Sequence, residues 1–190
     1  MRQITIVTLM LSVFACSQPE IGPRVLKVSA YNSPTIDREV AENDPYRLTM
    51  EIEDSANGKQ FLVVTLKPQG GSFFVSPHSK QDFSGVFRVE LPQNEYVTLG
   101  EDFEEIPRSL EVIDNHPFVR GSVNWVHEGT KYKFPLVLKA NGDFQTSGWI
   151  RFVIEPKCTL EEIPFDLMMK GNQLTAQRYP RLMKELCGES

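Results

Sequence analysis

Apolar and polar residues alternate along much of this chain with a period of two, which is the period of a half-buried β-strand. The alternation is strict from Leu48 to Glu53 and is followed by a turn sequence at 54–58. Because the Asn57-Gly58 pair readily adopts positive φ, we expect a hairpin that returns through 60–67. Further segments that have the pattern of short strands are 25–30, 72–76, 86–91, 119–125, 132–138, 148–154 and 164–170.

Short strands separated by turns, with no helical run between them, predict an all-β fold built as a β-sandwich. One helix is expected, in the tail of the chain, where Tyr179, Leu182, Met183 and Leu186 follow helical spacing. Pro180 would lie in the first turn of that helix, where proline is tolerated.

The first residues follow a different pattern, in which Arg2 precedes an apolar run from Ile4 to Ala15 that stops at Cys16. The run has the length of the apolar part of a secretory signal and is too short to span a bilayer as a helix. Its end resembles the lipobox of bacterial lipoproteins, which implies cleavage before Cys16 and acylation of that cysteine. The residue that follows this cysteine is Ser17 and not aspartate, which favours sorting to the outer membrane of a Gram-negative bacterium. The alternative is a buried N-terminal strand with an incidental cysteine.

These signals divide the chain into four parts. Residues 1–15 form the expected signal peptide, and residues 16–23 form a tether that contains two prolines and a glycine. One domain is expected over residues 24–170, followed by the helical tail at 171–190. The tether is short, so the domain should lie close to the lipid surface.

The composition is that of a globular protein, with 41% hydrophobic and 24% charged residues and a formal net charge of −5. The acidic balance, without a basic stripe, argues against a nucleic-acid partner. After lipidation of Cys16, only Cys158 and Cys187 remain as thiols. In an exported protein, an even number of cysteines usually indicates a disulfide.

Several short motifs between residues 70 and 167 occur in a characteristic order: Ser76-Pro77-His78, 87–92, 99–107, Gly121-Ser122-Val123, 148–152 and 158–165. This order is similar to that of the N-terminal periplasmic domain of the DsbD family of thiol:disulfide interchange proteins. The resemblance implies an immunoglobulin-like sandwich. It also implies a family activity, the relay of electrons from a membrane partner to periplasmic oxidoreductases.

Only part of the redox machinery implied by this resemblance is present. Cys158 matches the second cysteine of the family, because the acidic segment ending in Pro164-Phe165 follows it. The first cysteine should lie near Phe152 or Val153, but residues 151–157 contain none. A dithiol relay needs two sulfurs close enough to form an intramolecular disulfide.

Three states of the remaining cysteines stay open. Cys158 and Cys187 can form a structural disulfide that fastens the tail to the sandwich, remain as two free thiols, or act as a reactive redox pair. A structural disulfide would stabilise the fold by roughly 3–4 kcal/mol in the chain-entropy model.

Other candidate chemistry is weak. The histidines His78, His116 and His127 lie at no metal-ligand spacing, so neither a metal nor another cofactor is expected. The acidic group at 101–105 does not match a calcium loop and is expected to be a solvated loop. Trp125 and Trp149 lie on predicted strands and are expected to be core or edge aromatics.

The sequence therefore predicts a lipid-anchored envelope protein that recognises another envelope protein without catalysing a reaction. One alternative is an accessory of thiol–disulfide exchange that acts through Cys158. Another is a surface lipoprotein that binds a sugar or a peptide, because sandwiches carry such functions on many surfaces.

Overall fold

The computed structural model describes residues 44–80, 83, 85–115, 119, 121–179 and 182–185, and the side chains of 182–185 are not described. All of them belong to one compact unit, Arg38–Ser190. In these ranges the chain forms strands and no helix, with the bounds β1 Tyr46–Asp54, β2 Gln60–Pro68, β3 Phe74–Val75, β4 Arg88–Glu90, β5 Val97–Leu99, β6 Glu104–Ile106, β7 Glu111–Asp114, β8 Gly121–Val126, β9 Thr130–Leu138, β10 Phe144–Ile154, β11 Thr159–Lys170, β12 Gln173–Arg178 and β13 Leu182–Glu185. A helix able to cross a membrane is not found among the described residues.

The first sheet is antiparallel and has the order β1-β2-β9, with β5 and β6 both paired to the far edge of β9. The predicted hairpin is confirmed, because Tyr46 pairs with Pro68 and Asp54 pairs with Gln60 around the Asn57-Gly58 turn. In β9 the alternating residues Tyr132, Phe134 and Leu136 are buried, as their period of two requires.

The second sheet has the order β12-β11-β10-β4, with β13 as an additional partner of β11. The long β10–β11 hairpin pairs Phe144 with Met169 and Ile154 with Thr159. The same edge of β11 is shared by two strands, since β13 pairs with 159–162 and β12 pairs with 165–170.

A third, small sheet has the order β3-β8-β7. Its buried residues form a separate apolar cluster of Val75, Val86 and Val123. Backbone hydrogen bonds between Phe73 and Glu155, 3.0 and 2.8 Å long, join the chain just before β3 to the end of β10.

The two large sheets pack face to face around one apolar core. Aromatic rings fill its centre. Tyr46 of the first sheet packs edge to face against Phe152 of the second sheet, with ring centroids 5.0 Å apart. The largest fully buried aromatic side chains are Phe74, Phe87, Tyr132, Phe152 and Phe165. Two antiparallel sheets that enclose a single core form an immunoglobulin-like sandwich, so the predicted all-β fold class is confirmed.

The predicted helix in the tail is wrong. Gly171 and Asn172 both have positive φ, 55° and 68°, and form a tight two-residue turn that sends the chain back along β11 as β12. After Tyr179, the residues Leu182–Glu185 pair with the remaining edge of β11. The hydrogen bonds offered by this long edge outweigh the weak local preference for a helix.

Some strand bounds also differ from the expectation. The segment predicted as the last strand, 164–170, is the second half of β11, and the segment predicted at 148–154 begins earlier, at Phe144. The strands β5, β6 and β7 were not anticipated. The predicted strand at 25–30, like the signal peptide and the tether, lies outside the described residues.

Candidate functional site

Four apolar side chains are exposed along the segment that leads into and through β7. The exposed fractions are 49% for Ile106, 81% for Leu110, 45% for Val112 and 80% for Ile113. We call these four residues the β7 surface. The four residues lie close together along the chain, with Val112 and Ile113 on opposite faces of β7. Exposed apolar residues that lie near one another mark interaction sites more often than residues that are scattered singly.

A groove of about 490 Å³ lies beside the β7 surface. It is lined by two stretches of chain, one before and within β7 and one at the end of β8, namely Pro107, Arg108, Ser109, Leu110, Val112, Trp125, Val126, His127, Glu128 and Thr130. Val112 pairs with Val123, so its side chain projects on the same face of the small sheet as that of Trp125. The groove therefore has an apolar, partly aromatic wall.

The loop that carries Leu110 is fixed by hydrogen bonds at Ser109. The backbone N–H and the hydroxyl of Ser109 both donate to Oε2 of Glu105, over 3.2 and 3.0 Å. The Asn124 amide donates to the Ser109 carbonyl over 3.2 Å. Glu105 and Asn124 are each only 7% exposed. The loop is thus held by buried polar groups, which positions the β7 surface in advance of any contact.

Glu105 also bonds to the core of the sandwich. The Tyr132 hydroxyl donates to its Oε1 over 3.0 Å, and burial together with the negative charge of Glu105 raises the pKa of Tyr132. His78 Nε2 lies 3.8 Å from the same carboxylate, and its ring stacks on Phe103 at a centroid distance of 4.7 Å. The carboxylate is therefore an acceptor shared by Tyr132 of β9 and by the loop residue Ser109, with the His78 ring nearby.

The expectation that the whole acidic group 101–105 is a solvated loop is wrong for its last member. Glu101, Asp102 and Glu104 are exposed, whereas Glu105 points into the protein from β6. Within the described ranges, no group of His, Cys, Asp and Glu side chains could hold a metal ion.

Cys158 lies in the turn between β10 and β11, with φ of 51°, and is disulfide-bonded. The other two cysteines, Cys16 and Cys187, lie outside the described residues. The positions at which the family resemblance places a first cysteine, Phe152 and Val153, are occupied by core residues that are 0% and 9% exposed.

The remaining aromatic and histidine predictions have mixed outcomes. His127 is exposed just beyond the end of β8, and its ring centroid lies 5.0 Å from that of Phe73. Trp125 lies on β8 and donates from Nε1 to Asp114 over 2.9 Å. Trp149 lies on β10 with the Arg151 guanidinium 5.9 Å above its ring. His116 lies outside the described residues.

A second buried carboxylate, Asp166, stabilises the outer face of the second sheet. It is 5% exposed and accepts hydrogen bonds from Gln145, Ser147 and Tyr179 over 2.6, 2.7 and 2.6 Å. The hydrogen bond to Asp166 is the main cause that raises the pKa of Tyr179 to about 12. With all these donors internal to the protein, Asp166 fits a structural role.

Sequence reasoning missed the β7 surface. Its only sequence signal is the apolar pair Val112-Ile113 between two acidic residues, which is equally typical of a strand with one side buried. Exposure on both faces depends on what packs above and below β7 in the fold, and an alternation pattern does not contain that information.

No protein-family profile and no curated protein sequence matches this chain. Among solved structures, the chain is similar to the N-terminal domain of DsbD from Neisseria meningitidis in its reduced form. The similarity covers 75% of this chain and 86% of that chain, with a TM-score of 0.33 and 10% sequence identity.

Proposed function

We propose that this chain is a lipid-anchored protein of the bacterial cell envelope, and that its sandwich binds another envelope protein through the β7 surface without catalysing a reaction. The observation that carries the proposal is the exposure of Leu110 and Ile113, at 81% and 80%, on a segment that buried polar groups hold in place.

The rigidity of this segment supports a binding role. Leaving Leu110 and Ile113 in water costs roughly 1.5–3 kcal/mol each relative to burial, which a partner would recover. Because Glu105 and Asn124 already fix the loop through Ser109, binding would cost less conformational entropy than ordering a mobile loop.

The membrane anchor rests on the sequence. Acylation of Cys16 and a tether over 16–23 would keep the domain near the bilayer, and Ser17 favours the periplasmic face of the outer membrane. Partners in the same envelope would then meet the β7 surface at a high effective concentration.

The second candidate function is an accessory role in thiol–disulfide exchange. It is favoured by the position of the disulfide-bonded Cys158 on a turn next to the exposed residues Pro156 and Lys157. A partner thiolate could attack a disulfide at such an exposed turn, forming a mixed disulfide with one of its cysteines while the other cysteine leaves as a thiolate. The test is reduction of a periplasmic oxidoreductase by the pre-reduced protein: turnover that disappears in Cys158→Ala would establish this role.

Site-specific photocrosslinking in intact cells tests the binding role. A photoreactive residue at Ile113 should give a discrete protein adduct, whereas the same group at Val137, which is 54% exposed on β9, should not. Leu110→Asp should abolish the Ile113 adduct. Equal adducts from both positions, or none from Ile113, would overturn the proposal.

A further inference from the structure

The β7 edge has the properties of a site for strand addition, which deepens the proposed function and rests on it. We propose that β7 binds an extended segment of the partner as an added strand, and that this segment carries two adjacent apolar residues flanked on each side by a basic residue.

β7 is an edge strand. It pairs with β8 on one side, and no strand within the described ranges pairs with its other side. In an antiparallel pair, the backbone N–H and C=O groups of alternate residues point away from the partner strand, so an edge offers a row of donors and acceptors. Proteins usually protect such edges by keeping them short or by placing lysine and other charged residues, proline or a bulge on them. β7 has the sequence Glu-Val-Ile-Asp, so it is short and its charges are two carboxylates, which repel an acidic strand and favour a basic one.

The side chains of β7 offer an apolar contact on each face of an added strand. Successive residues of a strand point to opposite faces, so Val112 projects towards the groove that contains Trp125, and Ile113 projects to the other side. An incoming residue opposite Val112 would fill the groove. Its neighbour opposite Ile113 would cover a side chain that is now 80% exposed.

The charges at the two ends of β7 specify the partner further. Glu111 is paired with Lys80 over 2.8 Å, which lowers the Glu111 pKa and keeps it an anion, and the two side chains are 39% and 74% exposed. Such an exposed pair contributes little stability and exchanges partners readily. Asp114 accepts the Trp125 N–H at the opposite end. An added strand would therefore place one residue opposite each carboxylate, where lysine or arginine is favoured.

The same charges oppose a second copy of this chain as the occupant. In a symmetric antiparallel pairing of two β7 strands, residues that lie opposite each other have side chains on the same face, so Glu111 of one copy would lie opposite Ile113 of the other, or Asp114 opposite Val112. A carboxylate would then face an apolar side chain and have no basic partner across the strands. Strand addition thus favours a basic–apolar–apolar–basic segment from a different protein.

The test uses the full chain in nonionic detergent and a blocked probe peptide, acetyl-Gly-Ser-Thr-Lys-Val-Phe-Lys-Thr-Ser-Gly-amide, labelled for fluorescence anisotropy. Two matched peptides serve as controls, one with both lysines changed to glutamate and one with alternate backbone nitrogens methylated. We expect the lysine peptide to bind at least tenfold more tightly than the methylated peptide, because methylation removes the ladder hydrogen bonds and retains the side chains.

The second part of the test reverses the charge at one end of β7. Glu111→Lys should weaken binding of the lysine peptide about three- to tenfold and strengthen binding of the glutamate peptide, whereas Glu101→Lys, at an exposed position outside the edge, should change neither. Equal binding of the methylated and unmethylated peptides, or no binding of any peptide, would overturn strand addition. A dimer that is dissociated by Ile113→Asp would also overturn it, in favour of a second copy.

Failure of this inference is distinct from failure of the proposed function. An Ile113 adduct in cells with no peptide binding would leave the binding role intact and remove strand addition. Peptide binding without an adduct in cells would establish the edge chemistry and remove the envelope partner.

Discussion

Glu105 and Tyr132 lie directly opposite each other on the paired strands β6 and β9, and the Tyr132 hydroxyl donates to the Glu105 carboxylate over 3.0 Å. The other carboxylate oxygen holds Ser109. A single buried side chain therefore joins the core of the sandwich to the loop that carries the β7 surface.

Glu105→Ala should lower the free energy of unfolding by about 2–4 kcal/mol, because the buried Tyr132 hydroxyl and the two partly buried donors of Ser109 lose their acceptor. Urea denaturation of the variant measures this change. The matched control is Glu104→Ala at the exposed neighbouring position, where the change should be within about 0.5 kcal/mol. A loss below about 1 kcal/mol for Glu105→Ala would show that water replaces the carboxylate.

Cys158 is expected to be paired with Cys187. β13 ends at Glu185, opposite Thr159, so the described chain stops two residues before Cys187 and beside the residue that follows Cys158. Mass spectrometry of the unreduced, digested protein should find the two cysteines in one linked peptide. Cys187→Ser should lower the free energy of unfolding by roughly 3–4 kcal/mol in the chain-entropy model.

The control for this disulfide is the reduced wild-type protein, which should unfold at the same urea concentration as Cys187→Ser. Two free thiols in the unreduced protein would contradict the pairing. A Cys158–Cys16 link would contradict both the pairing and the acylation of Cys16.

Cys16→Ser should release the protein from the membrane, because the acyl chains and their burial of about 0.8 kcal/mol per CH₂ group would be lost. In phase separation with detergent, the wild type should enter the detergent phase and the variant the aqueous phase. Ser17→Ala is the matched control and should leave the partition unchanged. Incorporation of labelled fatty acid into Cys16→Ser would refute the assignment.

Tyr179 is expected to ionise at higher pH than an ordinary tyrosine. Its hydrogen bond to Asp166 raises its pKa from 10 to about 12, so the folded state favours the neutral phenol. The stability that this contributes is fully present below about pH 10 and is lost as the pH rises through about 12.

The difference in tyrosinate absorbance between the wild type and Tyr179→Phe isolates this titration from those of the other tyrosines. Asp166→Asn should move the Tyr179 titration back towards 10, since it removes the negative charge and the strong acceptor. A Tyr179 titration near 10 in the wild type would show that the hydrogen bond is absent in solution.

The hairpins and the fold class could be predicted because their signals are local. The Asn57-Gly58 turn and the buried alternation of Tyr132, Phe134 and Leu136 both act within a few residues. The strands β12 and β13 could not be predicted in the same way. β12 pairs with the edge of the predicted segment itself, at 165–170, and β13 pairs with the part of β11 that precedes this segment, at 159–162, so both depend on a tertiary edge that local sequence does not reveal.

The candidate site could be predicted less well for a related reason. Glu105 has the same sequence appearance as Glu104, and only the pairing of β6 with β9 turns one inward and the other outward. Cys158 could be identified as a candidate from the sequence, because cysteine is a reactive residue type and few cysteines are present. The exposure of Leu110 and Ile113 depends on how the segment 106–114 packs in the tertiary structure, and their residue types do not reveal it.

The position of β2 between β1 and β9 has a consequence for the chain while it folds. β1 precedes β2 along the chain and can pair with it at once, but the other edge of β2 waits for β9, which brings Phe134 opposite Leu62. Until then the run Leu62-Val63-Val64, fully buried in the finished protein, is an open apolar edge of the kind that seeds aggregation. The run is therefore covered only by a contact between segments that lie far apart in the sequence, and a change that delays the pairing of β9 should favour aggregation over folding.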